Sequence, residues 1–225
     1  MKIDSPLLSI IKEALEINKA KVIKDNESYL FVNDKTAKIF YIVVHTDSVD
    51  IQSLMNIGKS YQDTLCVISE IDLNLELSNS FKHFINAVQY TYYGDKFVID
   101  TPYQIDTVKR SDLLYLKNHY LDIGEEDAYL VNAIDRGMLK AVDNKGNILG
   151  FIGEHPEHAI GMLYVDEKYR HQGIGTTLEK SMINKFIGEG KIPFTHIARN
   201  NGKSLNLQAS LGLKEDKGYI NWYFN

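Results

Sequence analysis

The chain has 225 residues, 44% of them hydrophobic and 24% charged, which excludes disorder and a fibrous repeat and leaves enough apolar material for a sizeable core. A formal net charge of −5 creates no general field for phosphate backbones or anionic lipid heads, so neither nucleic acid nor a membrane is expected as partner. Charges interrupt every apolar stretch short of the roughly 18 residues a membrane span needs. Lys2, Asp4, Lys12 and Glu13 break up the N-terminal apolar positions, so neither a signal peptide nor an anchor is expected. The single cysteine, Cys66, lies in the apolar run Leu65-Cys66-Val67-Ile68. It excludes an intrachain disulfide and points to a reducing, cytoplasmic setting with Cys66 as a buried thiol.

Leu7, Ile10, Ile11, Ala14, Leu15 and Ile17 recur at helical spacing behind Ser5-Pro6, which predicts an amphipathic helix over 7–20. Residues 28–33 and 39–45 predict strands joined at Asn33-Asp34-Lys35. A helix over 49–61, a strand over 65–68 and an aromatic helix over 81–93, ending at Gly94-Asp95, follow. Thr101-Pro102 interrupts the pattern, so 1–100 is expected to form a small α/β domain and 101–225 a second domain. There the order is a strand over 103–108, helices Asp112 to Leu121 and Glu125 to Arg136, and a hairpin of 138–142 and 148–152 around Asp143-Asn144-Lys145-Gly146. A strand over 159–165, a helix over 173–187, a strand over 195–198, a helix over 203–210 and a tyrosine-rich final strand complete it. The expected order is β-α-α-β-β-β-α-β-α-β-β.

The chemistry concentrates where the strand ending at Val165 passes through an acidic turn into Arg170-x-x-Gly173-x-Gly175, which opens a helix with inner face Leu178, Met182, Ile183 and Phe186. Glycines let the backbone turn tightly and approach a ligand, so unpaired N–H groups converge at the helix start. The helix dipole and the Arg170 fork favour an anion there, and a pyrophosphate suits the socket. A dinucleotide fingerprint would need a small residue where Leu178 stands and an acidic residue near Thr195-His196-Ile197; a P-loop would need a lysine after Gly175. The remaining alternative is that the glycines serve only close packing of helix on strand.

Gly161-Met162-Leu163-Tyr164-Val165, the tract Arg170-His-Gln-Gly-Ile-Gly175, and downstream Asn200, Ser204, Leu211 and Gly212 resemble the GNAT family of acyl-CoA-dependent N-acyltransferases. The resemblance covers residues 103–225 and looks most like the glycine N-acyltransferase-like branch, through the Tyr-Arg-x-x-Gly tract, Pro193-Phe194 and Asn200-x-x-x-Ser204. It implies a mixed-sheet α/β fold: a C-terminal GNAT domain preceded by a smaller, degenerate GNAT-like α/β half that lacks an Arg-x-x-Gly-x-Gly tract. It also implies acetyl-CoA, or another acyl-CoA, as co-substrate and no metal, with pantetheine lying as a pseudo-strand where the family's fourth and fifth strands splay. Backbone at Leu163, Tyr164 and Val165 would hold the pantetheine amides. Arg170, His171, Gln172, Gly173, Ile174, Gly175 and Thr176 would hold the pyrophosphate, and Asn200 and Ser204 would face the thioester end.

The expected reaction is acyl transfer to a small-molecule amine, an amino acid among the candidates, by direct attack in a ternary complex; the other reading is a non-catalytic acyl-CoA-binding module. An ordinary amine is protonated at pH 7 and needs a base. Candidates cluster in Glu154-His155-Pro156-Glu157-His158, with His158 first and Glu157 and Glu154 beside it; the alternative is a polar hairpin turn. Pro156 argues against a helical metal-binding pair of histidines there. Many family members carry a tyrosine as acid where this chain has Gln208, so Tyr164, Tyr219 and Tyr223 are candidate replacements. Neither the acceptor nor the oligomeric state is legible.

Overall fold

The computed structural model describes residues 5–76, 80–120 and 127–225. Lys2, Asp4 and the expected helix ends Leu121 and Glu125 lie outside them.

In chain order the elements are α1 (Ser9–Glu16), β1 (Lys21–Asp25), β2 (Tyr29–Asp34), β3 (Ile39–Val44), α2 (Ile51–Lys59), β4 (Thr64–Ser69), β5 (His83–Thr91) and β6 (Gln104–Thr107). They continue with α3 (Leu113–His119), α4 (Asp127–Asp135), β7 (Leu139–Val142), β8 (Ile148–Glu154), β9 (Ile160–Val165) and α5 (Ile174–Gly188). The chain closes with β10 (Phe194–Ala198), α6 (Gly202–Ser210), β11 (Lys214–Glu215) and β12 (Tyr219–Phe224). From β6 onward this is the order the sequence predicts.

Two elements differ. The helix expected over 81–93 is strand β5. Phe81, Phe84 and Val88 fall at helical spacing, but Phe84, Ile85, Val88, Tyr90 and Thr91 are strand formers. The segment finds partners on both edges, β10 along one and β12 with β11 along the other. The first helix ends at Glu16 rather than near Ala20, and β1 follows as a wholly exposed edge strand whose short pattern carries no core signal.

The chain folds as two compact units, a mixed α/β fold. Where the sequence suggests one cut near residue 100, contacts group it differently. The residues up to Thr91 join Phe194–Ala209 and Leu213–Asn225 in one unit, and Tyr92–Pro193 with Ser210–Gly212 form the other. The first unit holds the sheet β1-β2-β3-β4-β12-β5-β10, with β3 and β4 parallel. β3 and β4 are almost wholly apolar because both faces are covered, and Phe31, Phe40, Ile42, Leu65, Val67 and Tyr223 centre the core. Cys66 is buried on β4.

The second unit is the antiparallel meander β6-β7-β8-β9. One face of it carries α5, which buries Leu178, Met182, Ile183 and Phe186, the inner face read from the sequence. The other carries α3 and α4, with Leu116, Leu130, Ala133, Ile134, Phe151 and Met162 between them. No helix among the described residues is long and apolar enough to cross a membrane.

Candidate functional site

Among the described residues β9 ends its sheet and pairs with β8 alone, so the outer edge leaves main-chain groups for an extended ligand. Gly153 pairs with Gly161 and Phe151 with Tyr164, which sets Met162 and Leu163 against Ile152 alone. This is a β-bulge. Met162 adopts φ 57° and is buried; for a residue with a Cβ that conformation stores about 1–2 kcal/mol of strain, held by the surrounding packing. Below the bulge, Leu163 and Val165 face α5, where a Cβ on Gly175 would lie 3.8 and 3.6 Å from their side chains. Tyr164 turns to the opposite face and stacks on Phe151 at 5.2 Å.

Beyond β9, Asp166 caps a 3₁₀ turn, Glu167–Tyr169, by accepting the Lys168 N–H at 3.1 Å. His171 takes φ 62° and Gly173 φ 80°, so the chain reverses twice before α5 begins at Ile174. A Cβ on Gly173 would meet nothing, and one on Gly175 only ordinary contacts. Space therefore lies over the first N–H groups of α5, which a helix leaves without intrahelical acceptors. Arg170 does not extend its fork into that space. Its Nε donates to Val165 O at 3.1 Å and its NH1 to Glu167 Oε1 at 3.1 Å, so it braces the turn against β9 while keeping its charge beside the socket.

The expected catalytic residues Glu154, Glu157 and His158 come together, but in a closed place. All three are buried. His158 Nδ1 lies 2.5 Å from Glu154 Oε1, and Glu154 also faces Lys191 at 3.3 Å and Lys185 at 3.9 Å. Burial alone would raise the Glu154 carboxyl, but the His158 hydrogen bond and the two ammoniums outweigh it and hold it below the usual range. Burial pushes the Glu157 carboxyl up to about 7, against the pull of Arg136. Arg136 Nε donates to Glu154 O at 2.9 Å, and burial lowers its guanidinium. His158, the first candidate base from the sequence, is 5% exposed and pairs with Glu154 inside the fold. His155 stands apart, with Nδ1 2.6 Å from Tyr129 Oη and its ring packed over Gly161. Among the described residues no group of three or more His, Cys, Asp or Glu could hold a metal.

Leu163, Tyr164 and Val165 and the tract from Arg170 to Thr176 are thus contiguous in one unit. Asn200 and Ser204 belong to the other, at the head of α6, where Asn201 Oδ1 accepts the Ser204 N–H at 3.2 Å. Gln208 is buried on α6, its Oε1 without a hydrogen-bond partner among the described residues. Tyr223 is buried, its phenol raised by burial and donating to Glu76 O at 3.1 Å; Tyr219 packs under Arg199. The Tyr223 phenol is thus engaged within the fold. The sequence reading missed the left-handed Met162, which has no sequence signal, and α3's His119, which a helical reading sees as one polar position among others.

The sequence model of the acetyltransferase (GNAT) family matches residues 103–213. No curated protein sequence is significantly similar to the chain. Among solved structures, a Drosophila protein is similar with a TM-score of 0.64 at 14% identity, covering 88% of this chain and 74% of its own. A protein from Novosphingobium aromaticivorans, described as an acetyltransferase of the GNAT family, gives 0.63 at 12% identity over 99% of this chain and 98% of its own. A GCN5-related N-acetyltransferase from Kribbella flavida gives 0.61 at 9% identity over 97% and 93%. At such identities these likenesses speak for the fold. Residues 103–213, which match the GNAT acetyltransferase family model, hold the bulged edge strand and the glycine turn into α5.

Proposed function

We propose that the chain is an N-acyltransferase that moves an acetyl or other short acyl group from acyl-coenzyme A to a primary amine by direct attack in a ternary complex. We place it in the glycine N-acyltransferase-like branch, with a small amine such as an amino acid as acceptor and the cytoplasm as its setting. One observation carries the reading: β9 ends its sheet with a free edge, bulges at Met162, and runs directly into the Gly173 turn at the head of α5.

In this reading the backbone at Leu163, Tyr164 and Val165 bonds the pantetheine amides. An N–H donor there draws on the thioester carbonyl, where negative charge develops during attack. His171, Gln172, Gly173, Ile174, Gly175 and Thr176 offer main-chain N–H groups to the pyrophosphate at the positive end of α5, and Arg170 keeps the turn in shape. Asn200 and Ser204 serve the thioester end, as in the family pattern. Glu154, Glu157 and His158 balance charge under the start of β9 rather than meeting the acceptor. The transferase elements lie within 101–225, and 1–100 is read as a degenerate copy whose β4 and β5 pair with β10 and β12.

Calorimetric titration with acetyl-CoA and coenzyme A, followed by a free-thiol assay against a panel of primary amines, tests this. Micromolar binding with thiol release is the expected result, and Arg170→Ala is expected to raise the acetyl-CoA Kd about tenfold, or roughly 1.4 kcal/mol. Gln208, where many family members carry the tyrosine acid, favours the second reading of a non-catalytic acyl-CoA-binding module, which binding without thiol release would support. Absence of binding would overturn both.

A further inference from the structure

The transfer needs a group that takes a proton from the amine, and the Glu154–His158 pair is buried. The face of β9 opposite α5 has another imidazole. His119, the last residue of α3, is half-buried, with its ring stacked on Tyr115 at 4.1 Å and 5.2 Å from the Tyr164 ring on β9. Its Nδ1 lies 2.7 Å from Tyr115 O. A carbonyl oxygen only accepts, so Nδ1 carries the proton and Nε2 is the atom left to gain or lose one. Nε2 makes no hydrogen bond among the described residues.

The surroundings suit that role. Tyr115, whose phenol burial pushes up to about 12, donates to Ile148 O at 3.2 Å and so holds the platform under the imidazole. The Tyr164 phenol is also raised, by burial and then by Asp166. Both rings are neutral over the range in which an imidazole titrates. The other imidazoles of this unit are engaged differently: His155 with Tyr129, His158 with Glu154, and His171 in the turn before α5. β9 therefore carries the anion socket's helix on one face and a tautomer-fixed imidazole on the other.

We propose that His119 is the general base of the transfer, accepting the amine's proton at Nε2; this rests on the acyl-transfer reading above. As the amine nitrogen bonds to the thioester carbon, its proton passes to Nε2 and the C–S bond breaks. Coenzyme A then leaves as thiolate and is protonated from solvent. No electrons are gained or lost overall.

The test compares the full chain with His119→Asn, whose amide keeps a donor for Tyr115 O but has no basic nitrogen. Wild type and variant are first titrated with acetyl-CoA. Failure of the wild type to bind removes the acyl-transfer reading itself, whereas equal binding within threefold isolates His119. Nitrogen NMR of labelled imidazoles is expected to show the Nδ1–H tautomer at His119 and a shift on saturation with acetyl-CoA; an Nε2–H tautomer, or no shift at saturation, overturns the proposal. For any amine the wild type acylates, thiol release by H119N is expected to fall 10²-fold or more and to lose the wild type's decline toward acid pH. Release within threefold of wild type, with the same pH profile, also overturns it.

Discussion

A carboxyl taken out of water holds its proton, and Glu157, raised by burial to about 7, is in that position. The raised value means that folding binds a proton between the ordinary carboxylate range and pH 7. The stabilisation is complete below about 4.3 and is lost as pH rises through 7, a change worth about 3 kcal/mol. Urea unfolding at pH 5 and pH 8 is expected to show this fall in the wild type. Glu157→Gln should remove most of it, and a variant with the same pH dependence would place the titration elsewhere. Glu154 runs the other way. Its carboxyl is held down by His158, Lys191 and Lys185, so its contribution is present above the ordinary carboxylate range and is lost as pH falls below it.

At the scale of elements, the bulge in β9 does what a regular strand could not. An extra residue at Met162 lets Leu163 and Val165 face α5 while Tyr164 faces α3, because side chains alternate and one inserted residue flips the remainder. Met162→Gly separates the backbone contribution from the side-chain contribution. Glycine adopts φ 57° freely, but the buried thioether is lost from the core around Phe151 and Ile134. The variant is expected to be destabilised by about 1–3 kcal/mol, since the large-to-small cost exceeds the strain relieved. Its acetyl-CoA affinity should be unchanged within threefold; a large loss of affinity would mean that the bulge depends on the methionine itself.

For the whole molecule, the consequential fact is that C-terminal strands complete the N-terminal sheet. β12 pairs with β4 and β5, and β10 with β5, so both depend for their pairing on residues up to Thr91. The fragment 101–225, which the sequence alone offers as a self-contained domain, keeps none of those partners. It is expected to aggregate or to lose amide protection in β10 and β12, with co-expression of 1–100 restoring both. A soluble fragment with those strands protected would show that they find other partners.

The order of elements from β6 onward, the inner face of α5 and the glycine turn at Gly173 were all legible in the sequence, because each depends on local periodicity or on the backbone freedom of a single residue. The GNAT resemblance lay in the same contiguous residues. What the sequence left open was decided by contacts between distant segments. Helical spacing at Phe81, Phe84 and Val88 gave way to strand pairing on both edges of β5. Glu154 met Lys185, Lys191 and Arg136 only through contacts with distant segments. His119 acquired its place beside Tyr164 only when α3 packed against β9. Burial and side-chain direction depend on neighbours far apart in the chain, and no local pattern in this sequence encodes them.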